Sequence, residues 1–479
     1  MNIRGIRSRW LLLSVAALWA VPLLAAGPSS APLVTLGEAL RLALSSSSRM
    51  EAAAAMQRGG EAQVREARSG YWPQVDLAED WTRSDDPVFA FGARLRQRRF
   101  TAADFDLARL NQPGPVNDLQ SQLNLRWTLW DARQTEMRVR RAELGVQATQ
   151  REREQTQQEV LQDTLAAYWR LSASLAQQTV AASAVTAAAA AAKDATSRYR
   201  QGLTVQADQL SAEVGLSGAQ ARELEAEAQV SMARAGLNRL LGRAQDSDIR
   251  VQPLITGDLA EPSQLQVLLA AAQAHSPQLQ TETARTAMAA TEVTRARAAA
   301  HLPTLSSLVQ WQRDQPTWTG NGQGHWTAAV HLQLSLFRGG ADQAAIASAL
   351  EQEIAANALQ RDLQSQLELT IRQAWYAAEA ARAQVGVSRQ ASDQASAALR
   401  ILQTRYANGL TTLTDLLQAQ AAQVAAQSRQ VEALYRWQLS LARTQAAAGL
   451  LSPETAAHFA QPAPAHSGSD LNLPNETHP

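Results

Sequence analysis

Cysteine is absent from all 479 residues of the chain. Its absence excludes disulfide frameworks, thiolate metal sites and cysteine nucleophiles, and also the acylated N-terminal cysteine of a bacterial lipoprotein. Any attachment to a membrane must therefore come from the fold. A surplus of one charge is also missing, because 44 basic residues balance 44 acidic ones. Phosphate binding needs a basic surplus on some face, so we expect no nucleic acid partner.

Long apolar runs are confined to the N-terminus. Three arginines precede the apolar segment Trp10–Leu24, and Ala25 and Ala26 offer a small-residue cleavage site. Residues 1–26 are therefore interpreted as a signal peptide. An uncleaved anchor helix is the alternative, but the apolar segment is shorter than the ~20 residues that cross a bilayer. The later sequence offers no apolar run of that length, so the exported chain is expected to enter a membrane only with strands.

The chain contains an internal repeat. Arg198–Asp208 reads RYRQGLTVQAD, and Arg405–Asp415, which begins 207 residues later, reads RYANGLTTLTD. The same offset places Trp130, in WTLWD, on Phe337, in LSLFR. Several landmarks in one order and in register indicate duplication of one structural unit rather than chance similarity.

The two copies differ in one loop. The motif YWP, ending at Pro73, and the motif HLP, ending at Pro303, lie 230 residues apart, so the first copy has 23 additional residues before WTLWD. Most of them fall in the predicted loop 83–118. We expect the clustered arginines of this loop to face either lipopolysaccharide phosphates or solvent. They are Arg94, Arg96, Arg98 and Arg99.

Each copy is predicted to contain one very long helix. Arg133–Tyr199 and Gly340–Tyr406 lack proline, are rich in helix-forming residues and each span 67 residues, or ~100 Å of helix. Gly202 and Gly409 end these helices. The remaining helices have about half that length and are expected to stack end to end in pairs along the long ones. They are Thr35–Ser69, Asp208–Gly242, Ser263–Ala300 and Asp415–Gly449.

Four segments change to the two-residue period of a strand. They are approximately Gln74–Thr82, Leu119–Trp130, Thr304–Arg313 and Trp326–Leu336. Their length and their alternation of apolar and polar residues are typical of outer-membrane strands. Seven of the 12 tryptophans lie in or beside them, as in the aromatic girdles of membrane barrels. A soluble sandwich is the alternative.

Four strands cannot close a barrel, and an open sheet edge in lipid leaves backbone groups without partners. Several chains must therefore share one barrel, and three copies would supply twelve strands. The predicted fold class is mainly α with a membrane β-barrel: long antiparallel helical hairpins form a periplasmic tunnel, and each protomer contributes four strands to a trimeric twelve-stranded barrel.

Two repeats of this kind, each with an RYxxGL turn followed by Asp, resemble the TolC family of outer-membrane efflux proteins over about residues 33–452. The resemblance implies a homotrimer in the outer membrane that extends into the periplasm. It also implies a periplasmic adaptor and an inner-membrane transporter as partners, contact with outer-membrane lipid, no cofactor or metal, and no catalysis. The predicted function is an exit duct of a tripartite efflux or type I secretion system.

The resemblance places a periplasmic gate at the helix turns, with Asp415, Asp208, Tyr406 and Tyr199 at the pore constriction. A carboxylate repeated around an axis makes a charged ring, whereas the alternative role for each Asp is helix capping. Adaptor docking is implied at the tips, formed by Gly202, Leu203, Thr204, Gly409, Leu410 and Thr411. The sequence departs from the family pattern at Gln418, where a second acidic ring is expected, and at Thr411, where a basic residue is expected.

The predicted organisation has five parts. They are a signal peptide (1–26), a first repeat (33–242), a linker in the equatorial region (243–262), a second repeat (263–451) and a disordered tail (452–479). Two other classes compete with the channel: a periplasmic adaptor, which has a single hairpin among small β-domains, and a structural coiled-coil surface protein, which lacks the strand segments.

Overall fold

The computed structural model describes residues 32–254 and 263–459 as a mainly helical chain with one four-stranded sheet. The predicted signal peptide lies outside the described residues, as do part of the linker and the tail beyond residue 459. The helices are α1 Leu36–Ser46, α2 Ser48–Ser69, α3 Pro87–Arg96, α4 Leu107–Asn111, α5 Gln134–Arg200, α6 Gln206–Leu240, α7 Leu265–His275, α8 Pro277–His301, α9 Ala341–Ala407, α10 Leu413–Ala447 and α11 Pro453–His458. The strands are β1 Leu33–Val34, β2 Gln74–Ser84, β3 Val116–Trp130, β4 Arg250–Val251, β5 Thr304–Gln315 and β6 Gln323–Gln333.

The two long helices are confirmed. α5 and α9 each contain 67 residues, and each packs against its own returning helix, α6 or α10, of 35 residues. Small side chains such as Ala195 and Ala212 are buried where the hairpins meet near their turns, which lets the helices approach closely. Within the described residues, none of the helices combines the length and apolarity needed to cross a membrane.

The half-length helices before the strands are each broken once, which the sequence analysis did not predict. The breaks fall at Ser47 and Ser276, both extended, and each side chain caps the next helix by accepting a hydrogen bond from the backbone N–H of Met50 or Leu279. Pro277 follows in the second copy and fixes the first helical residue, as is usual after a serine cap.

The predicted end-to-end stacking is present in both copies. The end of α6 meets the end of α1, where the Ser46 hydroxyl lies 3.5 Å from the carbonyl oxygen of Leu240. A methyl group added at Gly242 would lie 2.6 Å from Ser46 Cβ. In the second copy, a methyl group added at Gly449 would lie 2.8 Å from the carbonyl oxygen of His275. Glycine at both joints is therefore required by close packing.

The largest core lies where these joints meet the middle of α5. Tyr168 is 2% exposed there, and its hydroxyl donates to the carbonyl of Val34 (3.0 Å) and accepts from the N–H of Gln252 (2.9 Å). It thereby links α5 to the parallel pair β1–β4, in which residues 33–34 pair with residues 250–251 of the linker. Burial raises the pKa of the Tyr168 hydroxyl, so it remains a hydrogen-bond donor even in alkaline solution that ionises an exposed tyrosine.

Disorder beginning at Ser452 is wrong for the first residues of the predicted tail. Pro453–His458 form α11, Ala456 is fully buried, and the ring of Phe459 lies 6.1 Å from that of Trp169 in an edge-to-face arrangement. Apolar burial at Ala456 and Phe459 gives this segment the contacts that a disordered chain lacks. The predicted disorder of residues 460–479 concerns a segment outside the described residues.

The four long strands form one antiparallel sheet in the order β2–β3–β5–β6. Its apolar face is exposed, with Leu77 70%, Trp326 74% and Val330 69% accessible. Its polar face carries glutamine, asparagine and aspartate side chains, and Gln310 on β5 donates to Gln122 on the adjacent strand β3 at 3.1 Å. Both hairpin connections, residues 85–115 and 316–322, lie at the end of the sheet opposite the long helices.

The last predicted strand is three residues too long at its end. β6 stops at Gln333, so Leu334 and Leu336 lie beyond it and are exposed. The physical reason is its neighbour: β5 begins at Thr304, which pairs with Gln333, and Pro303 before it has no N–H to extend the ladder.

Candidate functional site

The two helix turns at the far end from the sheet have the same backbone. Gly202 and Gly409 adopt left-handed conformations, with φ of 73° and 72°. In the first turn, the N–H of Leu203 donates to the carbonyl of Arg198 at 2.8 Å, and in the second, Leu410 donates to Arg405 at 2.8 Å. These are the bonds of a glycine-terminated helix, which satisfy carbonyls left open at a helix end.

The tips present apolar side chains to solvent. Leu203 is 70% exposed and Leu410 is 66% exposed, each directly after its glycine. Each is followed by a threonine, Thr204 or Thr411, whose hydroxyl donates to an aspartate four residues later. The duplicated sequence therefore builds two copies of one exposed apolar tip with a fixed carboxylate behind it.

Asp415 is both exposed and held in place. Its Oδ2 accepts hydrogen bonds from the Thr412 hydroxyl (2.7 Å), the Thr411 hydroxyl (2.9 Å) and the Thr412 N–H (3.2 Å). Its own N–H donates to Thr412 Oγ1, which completes a capping box at the start of α10. The hydrogen bonds from Thr412 and then Thr411 lower the pKa of Asp415, so the carboxylate stays charged in more acidic solution than an ordinary aspartate.

Asp208 is less completely engaged. It accepts a short hydrogen bond from the Thr204 hydroxyl, but Val205, at the helix cap, has no side chain that can complete a capping box. The side chain is half-buried, whereas Asp415 is exposed. The two aspartates are thus equivalent in sequence but not in surroundings.

Tyr406 and Tyr199 also differ. Tyr406 packs against the buried cluster between the two hairpins, which includes Ala195 and Leu399. Burial raises the pKa of its hydroxyl, and the nearby Arg198 acts in the opposite direction. Tyr199 is 39% exposed at the other turn. The structure therefore brings Tyr406, but not Tyr199, into the contact between hairpins.

Sequence reasoning missed Arg198 as a site residue. Its guanidinium lies 4.7 Å from the centre of the Tyr406 ring, and its Nη2 donates to the carbonyl of Ala407 at 3.3 Å. Asp194, one turn earlier on α5, orients it through a 2.9 Å ion pair with Nε. The RYxxGL motif contains this arginine in both copies, but nothing in the sequence distinguishes the one that reaches the other hairpin.

The described residues contain no cluster of three His, Asp or Glu side chains arranged to hold a metal ion. The site is therefore built from two exposed leucine tips, two threonine-held carboxylates and one arginine link between hairpins.

Comparison with known proteins identifies the family to which this architecture belongs. The family model for outer membrane efflux proteins matches residues 39–243 and 268–450, which is more than half of the chain and leaves the linker between its two parts. The chain belongs to the outer membrane efflux protein family. Among curated proteins, Protein CyaE of Bordetella pertussis is 28% identical over 429 residues, covering 87% of this chain and 83% of that protein.

Solved outer-membrane channels share the fold. The CmeC outer membrane channel of Campylobacter jejuni gives a TM-score of 0.71 at 17% identity, with 88% of each chain covered. The outer membrane protein VceC of Vibrio cholerae gives 0.69 at 21% identity, covering 86% of this chain and 96% of that one. The open state of the Neisseria gonorrhoeae MtrE channel gives 0.70 at 16% identity, covering 87% and 89%.

Family and fold together confirm several predictions from the sequence. The protein is an outer-membrane exit duct of an efflux or secretion system, located in the outer membrane and extending into the periplasm. The helices form the periplasmic part, and the sheet forms the membrane part. The end of the sheet that carries the hairpin connections therefore faces the cell exterior. The helix turns, one of which precedes Asp415, lie at the periplasmic end.

Proposed function

We propose that three copies of this chain form one continuous duct, with twelve strands in a shared barrel and six hairpin turns at the periplasmic end. The observation that carries the proposal is the sheet itself. β2 and β6 each have only one neighbour among the described residues, and most of the apolar face is exposed. Both features require other copies and lipid, because unpaired strand edges in a bilayer cost several kcal/mol per group.

Purification in detergent tests this proposal. We expect native mass spectrometry to give a complex of three chains. On gels, the unheated complex should run as one folded trimer band, and heating should convert it into the band of the unfolded subunit. Planar bilayers that contain it should show discrete ion-conducting channels. A monomer that is soluble without detergent would contradict both the trimer and the duct.

The helix turns are proposed as the gate of this duct. Asp415 is supported by its exposure and by its lowered pKa, which together keep a fixed negative charge at the turn. Three copies would make one carboxylate ring. Asp208 and Tyr199 are proposed as secondary lining residues, and Tyr406 as part of the contact that holds the two hairpins together. The capping role of Asp415 and its role in a ring are compatible, because its second oxygen, Oδ1, makes no hydrogen bond within the described residues.

Replacement of Asp415 by Asn should weaken block of the channel by a trivalent cation such as La³⁺ by at least about tenfold, since three carboxylate charges leave the constriction. Asp393→Asn, an exposed carboxylate higher on α9, is the matched control and should leave block unchanged. Single-channel recordings over a range of La³⁺ concentrations give the block constants. Full-strength block in Asp415→Asn would contradict the ring.

The pH dependence of block follows from the same carboxylate. Hydrogen bonds from Thr412 and Thr411 lower the pKa of Asp415, whereas the three like charges of a ring raise it; block should vanish as pH falls through the resulting pKa, and at a lower pH than in a ring without these hydrogen bonds. The stability that the capping box provides is lost over the same interval. Thr412→Val removes the strongest of these bonds, so it should move the loss of block to higher pH.

The leucine tips are proposed as the docking site for a periplasmic adaptor, which connects the duct to an inner-membrane transporter. Exposed apolar side chains at Leu203 and Leu410 support this, because isolated leucines on rigid turns are suitable anchors in a partner's groove. Thiol cross-linking from these positions should capture the adaptor; capture only from the strand position Trp326 would contradict the assignment. We propose no enzymatic activity for the chain.

A further inference from the structure

The connection between β2 and β3, residues 85–115, is a folded insert. It contains α3, a short 3-10 turn at Ala102–Phe105 and α4. The corresponding connection between β5 and β6 consists only of residues 316–322. Within the insert, the rings of Phe91, Phe100 and Phe105 stack edge to face at 4.8 and 5.1 Å. The insert therefore has a small core of its own rather than the conformation of an open loop.

The end of α3 is fastened to the polar face of the sheet. Arg96 Nη2 lies 3.3 Å from Asp118 on β3, and its Nε lies 3.2 Å from Asp314 on β5. The two carboxylates share the face of Gln120 and Gln122, because Gln120 pairs directly with Asp314. Since that face is the inner one in a membrane barrel, α3 folds inward over the pore.

The carboxylates at this attachment are almost completely inaccessible. The side chain of Asp118 is 3% exposed and that of Asp314 is 0% exposed. Gln97, the residue after Arg96, adds a 2.8 Å hydrogen bond to Asp118 and another to the carbonyl of Asn117. A buried carboxylate pair without its cation is strongly destabilised. Arg96 is therefore the fastener that holds the insert against the sheet.

The opposite side of α3 is apolar and uncovered. Ala90 and Ala93 face the sheet and are 1% and 0% exposed, whereas Val88 is 81% exposed and Leu95 is 47% exposed. Val88 and Leu95 lie seven residues apart, so they share one side of the helix. With α3 on the inner face of the barrel wall, that side is directed away from the wall.

The width of the barrel determines what lies opposite the apolar side of α3. Twelve strands spaced ~4.8 Å apart and tilted by ~40° enclose an opening about 24 Å across. A helix with its side chains is ~10 Å wide. Three such helices, one on each third of the wall, fill most of that opening. The uncovered side of each α3 is thus within reach of the other two.

We propose that the insert is a cap over the outer mouth of the duct, fastened by Arg96 to Asp118 and Asp314, in which Val88 and Leu95 of three subunits form an apolar constriction around the axis. The proposal rests on the trimer of the proposed function. Apolar constrictions impede water and ions without any charged group. The outer mouth then has its own barrier, independent of the carboxylates at the periplasmic turns.

Size-selective labelling tests the cap, and the absence of cysteine from the chain makes any introduced thiol unique. Thr327→Cys places it on the polar face, at an exposed position of β6 about 13 Å nearer the helices than Asp314. Intact cells are treated with a small charged maleimide or with a polymer-linked maleimide. We expect only the small reagent to label this position when the insert is intact.

Loss of the fastener should admit the large reagent. Arg96→Ala is expected to raise the rate of polymer labelling at Thr327→Cys by about an order of magnitude, and exchange of residues 85–115 for a turn like 316–322 should do the same. Arg99→Ala, whose exposed side chain makes no ion pair or hydrogen bond within the described residues, is the control and should change nothing. Thr319→Cys, exposed in the short turn, should react with both reagents in every variant.

A separate readout tests the meeting of the three inserts. Identical residues of symmetric subunits come within the ~7 Å Cα separation of a disulfide only near the axis, so mild oxidation of Val88→Cys should give covalent dimers. Absence of these dimers, or equal polymer labelling with and without the insert, overturns the cap. A protein that forms no trimer on unheated gels overturns the proposed function instead, so the two failures are distinguishable.

Discussion

Arg198→Ala should raise the ratio of open to closed channels in planar bilayers by about two orders of magnitude. Arg198 links the two hairpins of a subunit near their turns: it stacks on Tyr406 and donates to the carbonyl of Ala407. Its side chain is 25% exposed, so the contact with the ring is worth ~1 kcal/mol. Three subunits that open together lose ~3 kcal/mol, and each 1.4 kcal/mol is a factor of about ten.

Two variants of Tyr406 distinguish the contribution of its ring from that of its hydroxyl. Tyr406→Phe keeps the face that the guanidinium contacts, so its conductance should match that of the unmodified protein. Tyr406→Ala removes the ring and should open the channel as Arg198→Ala does. Arg200→Ala is the matched control, because Arg200 is exposed two residues further along and its side chain makes no ion pair or hydrogen bond within the described residues.

Single-channel recording of these four variants decides the point. Equal open fractions for Arg198→Ala and Arg200→Ala would show that other contacts between the hairpins, such as their apolar packing and the Gln177–Ser428 hydrogen bond, hold the closed state. Opening by Tyr406→Phe would show instead that the tyrosine hydroxyl holds the closed state. The family pattern has a basic residue at the position of Thr411. In this chain, we propose that Arg198 of the other hairpin supplies the positive charge instead.

The helical architecture could be predicted because its signals are local and repeated. The absence of proline over 67 residues and the glycines Gly202 and Gly409 determine where each long helix runs and ends. The breaks at Ser47 and Ser276 were missed for different reasons. Ser276-Pro277 is a recognisable restart signal that the sequence analysis did not use. Ser47 lies among four serines with no proline, so its role becomes visible only where α6 ends against the neighbouring Ser46.

The position of the two turns could be predicted, but not the difference between them. Both turns carry the same motif, and the structure gives both the same backbone. Tyr406 is packed between hairpins while Tyr199 is exposed, because neighbours from distant parts of the chain, such as Arg198 and Leu399, surround only one of them. A duplicated sequence predicts duplicated local structure, and only tertiary packing can make the copies different.

The insert shows the opposite case, in which the pattern was noticed but its meaning was not. Four clustered arginines were expected to face lipopolysaccharide or solvent. Arg94 instead pairs with Asp104 and Arg96 with two strand carboxylates, which leaves Arg98 and Arg99 without an ion pair among the described residues. Asp86-Pro87 was a signal for the start of α3, since the aspartate caps the helix and proline occupies its first turn.

The second large effect is expected at the joints between helices. Gly449→Ala should destabilise the folded protein by about 2–5 kcal/mol. Its φ of 74° is a left-handed conformation that costs an L-residue ~1–2 kcal/mol. The added methyl group would also lie 2.8 Å from the carbonyl oxygen of His275, and forced packing of this kind costs ~1–3 kcal/mol more. Gly242→Ala, which meets Ser46, should behave in the same way.

The turn glycines provide controls with almost the same backbone. Gly409 has a φ of 72° and Gly202 a φ of 73°, and nothing lies within 4 Å of a methyl group at either. Gly409→Ala should therefore lose only the ~1–2 kcal/mol of backbone strain. Urea unfolding of the detergent-solubilised protein, followed by helical circular dichroism, measures all four variants. Equal losses at Gly449 and Gly409 would mean that the end-to-end joints tolerate a side chain. A larger loss at Gly449 and Gly242 alone would locate the stability of the tunnel at its middle, where half-length helices must meet without a gap, and leave its two mouths free to move.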